Sequence, residues 1–321
     1  MRLFHMIYLG MLLPASYVFS AEQVTAQQFV NLQQGNTSFA GFRRAHAKGA
    51  CVTGYFEPNG QLAALSQVPI FAQGTTPFIG RFSIAGNNPT APDLKSPVRS
   101  LAVSFNISPT QQWRIAMNTP PVMAVSNPHD FYQQIVAIKN GPQALKAFFN
   151  AHPETQDFLN WKANYTPTQS LALERYHSIN AFYLENSQGE KRAVRWYFEP
   201  QGYPLGLTSD TDNALFDELS ARFLKGPVKF SWVFILSEET DDENDPAVRW
   251  PEDRQRVVAG EVAIEQIDMS LNAQCQSINF DPLTLPSGVS ATADPILRAR
   301  SAAYAESYRR RAKEKLLEAL Q

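Results

Sequence analysis

The chain has 321 residues, 44% hydrophobic and 18% charged, a composition that supports a buried core in one large domain or two small ones. Lys plus Arg number 28 against 30 for Asp plus Glu, a formal net charge of -2. That balance excludes a strongly basic polyanion-binding surface as the basis of function, and nucleic acid is set aside as a partner.

The N-terminus carries Arg2, a mostly apolar stretch over residues 3–18, then small or polar residues through Ser20 and Ala21. The apolar part is too short for a membrane span of about 20 residues, and no second run of that kind follows. The pattern therefore predicts a secretory signal peptide over residues 1–20 and a mature domain over residues 21–321, exported, and periplasmic in a Gram-negative source. Export leaves Cys51 and Cys275 where disulfides form, although their spacing does not show whether they meet. With no His or Cys cluster beside them, they argue against a cysteine-based zinc site.

Residues 24–39 are polar enough for a surface arm or short helix. Residues 50–57, 78–84, 100–107 and 113–117 are then short runs rich in Val, Ile, Phe and Tyr, separated by Gly, Pro and Asn, and read as four strands. From residue 130 to 162 the period changes: Phe131, Ile135, Ile138, Leu145, Phe148 and Phe149 recur at helical spacing, broken by Gly141-Pro142 and Pro153, which predicts two or three helices. A second strand group covers residues 178–185, 192–199, 228–236 and 257–267, with a hairpin turn at residues 186–189. The acidic residues 238–245 read as a solvated loop. Eight strands interrupted by helices predict a closed antiparallel barrel with appended helices, because closure removes exposed edges. Residues 295–321 lack Gly and carry no Pro after the first position, and so predict one long terminal helix.

That helix places Arg300, Tyr304, Tyr308 and Arg311 on one stripe, at spacings of four, four and three. Spacing alone is equally compatible with an exposed amphipathic face. The wording of the segment carries more. Residues 294–311, DPILRARSAAYAESYRRR, resemble the proximal-helix motif of haem catalases, and residues 43–57, RRAHAKGACVTGYFE, resemble the distal motif built around His-Ala-Lys-Gly and Gly-Tyr-Phe-Glu. Arg81-Phe82-Ser83, Leu101-Ala102-Val103, Asn118-Thr119-Pro120, Phe280-Asp281-Pro282 and Leu285-Pro286 with Gly288 follow in the family's order. The resemblance runs from about Phe42 to Arg311 and is nearest to the catalase-related peroxidases, the small members of that family.

The resemblance implies an α+β chain: a catalase-like eight-stranded antiparallel β-barrel with a helical insertion and a C-terminal proximal haem helix. It implies haem b as cofactor, with Tyr304 as the axial ligand of the iron and Arg300 one turn before it favouring the phenolate. Tyr308 is the rival ligand, but the residue one turn before it is Tyr304 and not an arginine. His46 is the implied distal acid–base residue and Ser83 its hydrogen-bond partner. Arg43, Arg81 and Arg311 are the implied partners of the haem propionates, and Phe131 is placed in the cofactor site with them. Arg43 lies three residues before His46, so a bend or bulge must precede the first strand if both serve one haem. In the segment where catalases carry Asn-Asn-Thr-Pro, this chain has Met117-Asn118-Thr119-Pro120, which predicts Met117 on the haem face unless the register shifts. The expected activity is reduction of hydrogen peroxide or organic peroxides with oxidation of a small organic donor. A fatty-acid hydroperoxide isomerase and a non-catalytic haem carrier are the alternatives. The chain stops soon after this helix, without the further domain of large catalases, and its N-terminal arm is short. The intertwined tetramer of those enzymes is therefore not expected, though another oligomer is compatible.

Overall fold

The computed structural model describes residues 23–72, 74–207 and 209–320; the signal peptide expected over residues 1–20 lies outside them. The N-terminal arm is helix α1 (Ala26–Gln34), started by a reciprocal Thr25–Gln28 capping box. The first four strands are β1 (Gly49–Pro58), β2 (Thr76–Ile84), β3 (Arg99–Ser108) and β4 (Gln111–Asn118), paired antiparallel in succession. The helical insertion is α2 (Pro128–Lys139), α3 (Pro142–Ala151) and α4 (Gln156–Asn164), each of the first two opened by a proline in its first turn. The second half contains β5 (Tyr176–His177), β6 (Phe182–Glu185), β7 (Lys191–Pro200), α5 (Ala214–Phe223), β8 (Val228–Leu236), β9 (Arg256–Asp268), β10 (Val289–Ala291) and the long terminal helix α6 (Pro295–Ala319).

Around the barrel the order is β7-β5-β4-β3-β2-β1-β9-β8, and β8 pairs back onto β7 to close it. β6 continues along β7 beyond β5, and β10 pairs outside β6. Aromatic rings fill the interior, as a barrel of this size requires. The Trp232 ring lies 5.1 Å from Phe56, 5.1 Å from Phe234 and 5.3 Å from Trp113. Phe71 enters from the β1–β2 connection and packs on Trp113, Trp232 and Phe234. Truncating a buried ring such as Trp232 to Ala is expected to cost about 3–5 kcal/mol.

Three sequence expectations are corrected. The strand expected over residues 178–185 is broken, because Ile179 adopts φ 66° between β5 and β6 and the chain turns Asn180 inward onto Asp294. A β-branched residue gives no local signal for that conformation. Residues 238–245 are not simply solvated: Asp241 is buried and paired with Arg254, and Glu243 accepts a hydrogen bond from Tyr183. The carboxylates tie this loop to the barrel wall. Helix α5 was not expected at all; Asp93, fully buried, caps it by accepting from the amides of Leu215 and Phe216, and lies 4.0 Å from the Lys48 ammonium.

Candidate active site

The outer face of β2, β3 and β4 and the inner face of α6 enclose a cleft with a cavity volume of about 200 Å³. Every residue singled out from the sequence lines it: Arg43, His46, Arg81, Ser83, Met117, Asn118, Phe131, Arg300, Tyr304 and Arg311. The structure thus gathers residues spread over most of the chain, but it changes the relations among some of them.

Strand pairing decides which side chains face the cleft. Arg81 is opposite Ala102, Ser83 opposite Ser100, Ala102 opposite Ala116, and Ser100 opposite Asn118, so these share the outer face. Phe82, Leu101 and Met117 occupy the intervening positions and belong to the barrel core, Met117 almost fully buried there. Met117 touches the cleft but packs its side chain into the barrel core, so the expectation that it takes the haem-facing position is corrected. Asn118, opposite Ser100, puts an amide on the cleft wall with no slip of the strand relative to its neighbours.

The implied Ser83–His46 pairing is corrected in the same way. Ser100 Oγ lies 3.2 Å from His46 Nδ1 and donates to Asn118 Oδ1. A hydroxyl has one proton to give. With that proton on Asn118, Ser100 accepts from His46 Nδ1–H, which leaves the His46 Nε2 lone pair free. Burial first, and then the Arg81, Arg300 and Arg43 guanidiniums, push the His46 imidazole down to about 4. The free nitrogen is therefore a base at neutral pH.

The bend expected before the first strand is present. His46 has φ 55°, and β1 begins only at Gly49. Arg81 holds this turn by donating to the carbonyls of His46 and Ala47, each at 2.9 Å. Gly49 lets it do so: a Cβ there would stand 2.6 Å from Arg81 Cζ.

The low pKa has a consequence for the cofactor-free protein. A free imidazole titrates near 6.5, so between that pH and about 4 the unfolded chain binds a proton that the folded chain refuses. The stabilisation is complete above about 6.5 and is lost as pH falls towards 4. Urea midpoints measured across this window are expected to fall with pH, and the His46 ring proton to titrate near 4 by NMR. A ring midpoint near 6.5 would contradict the placement.

In the same cleft Arg43, Arg81 and Arg311 converge. Burial and mutual repulsion push Arg43 well down from the usual guanidinium range and Arg81 down to about 9, and Arg311 is lowered mainly by burial. Among the described residues no carboxylate lines the cleft, and the buried Nε atoms of Arg81 and Arg311 have no hydrogen-bond partner. Guanidiniums remain charged at neutral pH. The site therefore fits a ligand that brings carboxylates to these arginines.

On α6, Tyr304 packs partly buried against the cluster of Cys51, Ala273, Cys275 and Phe280, with Arg300 Cζ 6.0 Å from its ring centre. Arg300 donates to Ala116 O on β4 and to Asn180 Oδ1, and Asn180 Nδ2 donates to Asp294, which caps α6 through the amides of Ile296 and Leu297. Asn180 and Ser100 are the two site residues that the sequence reading missed. Tyr308 also lines the cleft, but is 37% exposed, with Arg311 5.3 Å from its ring. A tyrosine carrying a fixed cation, carboxylate-seeking arginines and an open aromatic-lined cleft fit a haem. Tyr304 would hold its iron through the phenol oxygen, and Arg43, Arg81 and Arg311 would pair with its carboxylates.

A closed barrel whose outer wall holds a neutral imidazole in one cleft with a tyrosine–arginine helix defines a peroxide-acting oxidoreductase. Residues 31–218 match the family model described as Catalase. The chain belongs to the catalase family. It is 34% identical to a catalase-related peroxidase of Synechococcus elongatus, covering 92% of this chain and 91% of that protein. It is 30% identical to a catalase-related peroxidase of Mycolicibacterium paratuberculosis, covering 84% and 89%. The Mus musculus catalase is 26% identical, and the matched region covers 84% of this chain but 56% of that longer enzyme. Catalase A of Saccharomyces cerevisiae shares the fold, with a TM-score of 0.74 at 20% identity, covering 84% of this chain and 61% of that one.

Proposed function

We infer that this enzyme is a haem-dependent peroxidase, reducing hydrogen peroxide or organic peroxides while oxidising a small organic donor. The observation that carries the reading is a His46 imidazole, neutral at working pH, in one cleft with Tyr304 and Arg300 and three carboxylate-seeking arginines. When bound, haem supplies the iron redox chemistry that breaks the peroxide O–O bond.

The chain's own residues manage the protons. His46 Nε2 takes a proton from one peroxide oxygen and returns it to the departing oxygen, so one imidazole serves as base and then acid. Ser100 and Asn118 hold the Nδ1–H tautomer that this requires. With its oxygen engaged by Ser100, Asn118 has its amide nitrogen left to donate to the bound peroxide. An amide for holding peroxide is therefore present, and donor oxidation is supported by the two relatives named catalase-related peroxidase.

The test is to load the protein with ferric haem, add peroxide, and follow donor oxidation and oxygen evolution on one preparation. Donor oxidation is expected to exceed oxygen release severalfold at equal peroxide. Oxygen release with no donor turnover would make the enzyme a catalase, a rearranged fatty-acid hydroperoxide without donor would make it an isomerase, and haem uptake with neither activity would make it a carrier. Export is part of the same reading: the leader-like N-terminus and the Cys51–Cys275 pair both suit an oxidising compartment, the periplasm in a Gram-negative source. Among the described residues no helix is long and apolar enough to cross a membrane.

A further inference from the structure

Two of the three carboxylate-seeking guanidiniums, those of Arg43 and Arg311, are bound to one short turn. Each hydrogen bond that the Arg43 guanidinium makes among the described residues goes to residues 275–278: Gln276 Oε1 at 2.8 Å, and the carbonyls of Cys275 and Ile278, each at 3.1 Å. Arg311 donates to the carbonyl of Gln276 in the same turn. The turn is a single 3-10 turn, Gln274–Ser277, between β9 and β10. The backbone bonds of Ala273, Gln276 and Ile278 as donors go to Ser270, Ala273 and Cys275, inside the segment itself. No sheet ladder holds it.

Its covalent tie is Cys275, bonded to Cys51 with a Cα separation of 5.5 Å. Cys51 sits on β1 directly opposite Arg81 of β2. The bond therefore joins the strand partner of Arg81 to the turn that aims Arg43 and Arg311. Both cysteines are buried in a cluster with Ala273 and Phe280, against which Tyr304 packs.

We propose that the Cys51–Cys275 disulfide is a positioning element for the cofactor's carboxylates, holding the 274–278 turn so that Arg43 and Arg311 are set before the ligand arrives. The proposal rests on the haem reading above. Without the tether both guanidiniums must be ordered on binding, and ordering two long side chains lowers affinity by about ten- to a hundredfold. A ligand of the same ring and iron that lacks free carboxylates gains nothing from those arginines and loses little.

The experiment titrates cofactor-free full-length protein, wild type and the double variant Cys51→Ala/Cys275→Ala, with ferric haem and with its dimethyl ester, following the Soret band. For the free acid the double variant is expected to bind at least about tenfold more weakly, and for the ester within about twofold of wild type. Gln276→Ala keeps the disulfide and removes one acceptor of Arg43. The same selectivity is expected there, at about threefold, so the test does not depend on the double variant folding. Equal losses for both ligands, or no loss for the free acid in either variant, overturn the positioning role. Wild-type protein that takes up neither ligand overturns the haem reading itself, and this proposal with it.

Discussion

Tyr304→Phe is expected to abolish stable uptake of ferric haem, lowering affinity by about a hundredfold or more, which corresponds to ~2.8 kcal/mol. Phenylalanine keeps the ring that packs against the cluster of Cys51, Ala273, Cys275 and Phe280, so the cofactor-free fold should survive; what disappears is the phenol oxygen that would hold the iron, on the ring whose centre lies 6.0 Å from the Arg300 guanidinium. Arg300 is itself fixed from two directions, by Ala116 O on β4 and by Asn180, whose amide is anchored on Asp294. That rigidity is a reason to prefer Tyr304 over Tyr308, which stands more exposed at the cleft wall with Arg311 near its ring. Tyr308→Phe is accordingly expected to change affinity by no more than about threefold, or ~0.7 kcal/mol. The comparison is made by absorption titration, with circular dichroism of the cofactor-free proteins as the folding control. A Tyr304→Phe protein that binds haem with an unaltered spectrum, beside a Tyr308→Phe protein that does not bind it, would exchange the two roles.

The barrel, the helical insertion and the terminal helix were legible because each rests on local periodicity that tertiary contacts then reinforced. The assembly of the cleft was legible through the motifs, since Arg43, His46, Arg81 and Tyr304 sit in segments whose wording is specific. The relations across strands were less so. Met117 was placed on the wrong face by its position in a motif, although the strand itself carried the answer: Trp113, Ile115 and Met117 alternate with Arg114, Ala116 and Asn118, and the apolar set belongs to the barrel interior. Ser83 and Ser100 are cross-strand neighbours on one face, and only the turn at His46, with its φ of 55°, decides which of them meets the imidazole. The Cys51–Cys275 pairing, 224 residues apart, has no local signal at all. Helix α5 did have one, with Leu215, Phe216, Leu219 and Phe223 at helical spacing, but it is short, and no element is expected from the sequence between residues 199 and 228.

His46→Ala is expected still to bind haem, less tightly than the wild type, and to slow the reaction with peroxide by about two to four orders of magnitude, the usual contribution of a positioned acid–base group. Alanine does two things at this position, however. It removes the imidazole, and it leaves a residue without a favourable left-handed conformation at φ 55°, a cost of roughly 1–2 kcal/mol. Relaxation of that turn would disturb the carbonyls of His46 and Ala47 on which Arg81 rests, and could weaken haem binding for a reason unrelated to catalysis. His46→Asn separates the effects, because asparagine tolerates the left-handed region but its amide cannot act as a base near neutral pH. If the imidazole is the base, both variants lose peroxide reactivity to a similar degree, and His46→Asn retains the higher haem affinity. Stopped-flow mixing of each haem-loaded variant with peroxide gives the rate, and titration of the cofactor-free proteins gives the affinity. A His46→Asn enzyme that reacts at the wild-type rate would mean that the turn, and not the proton transfer, is what His46 provides.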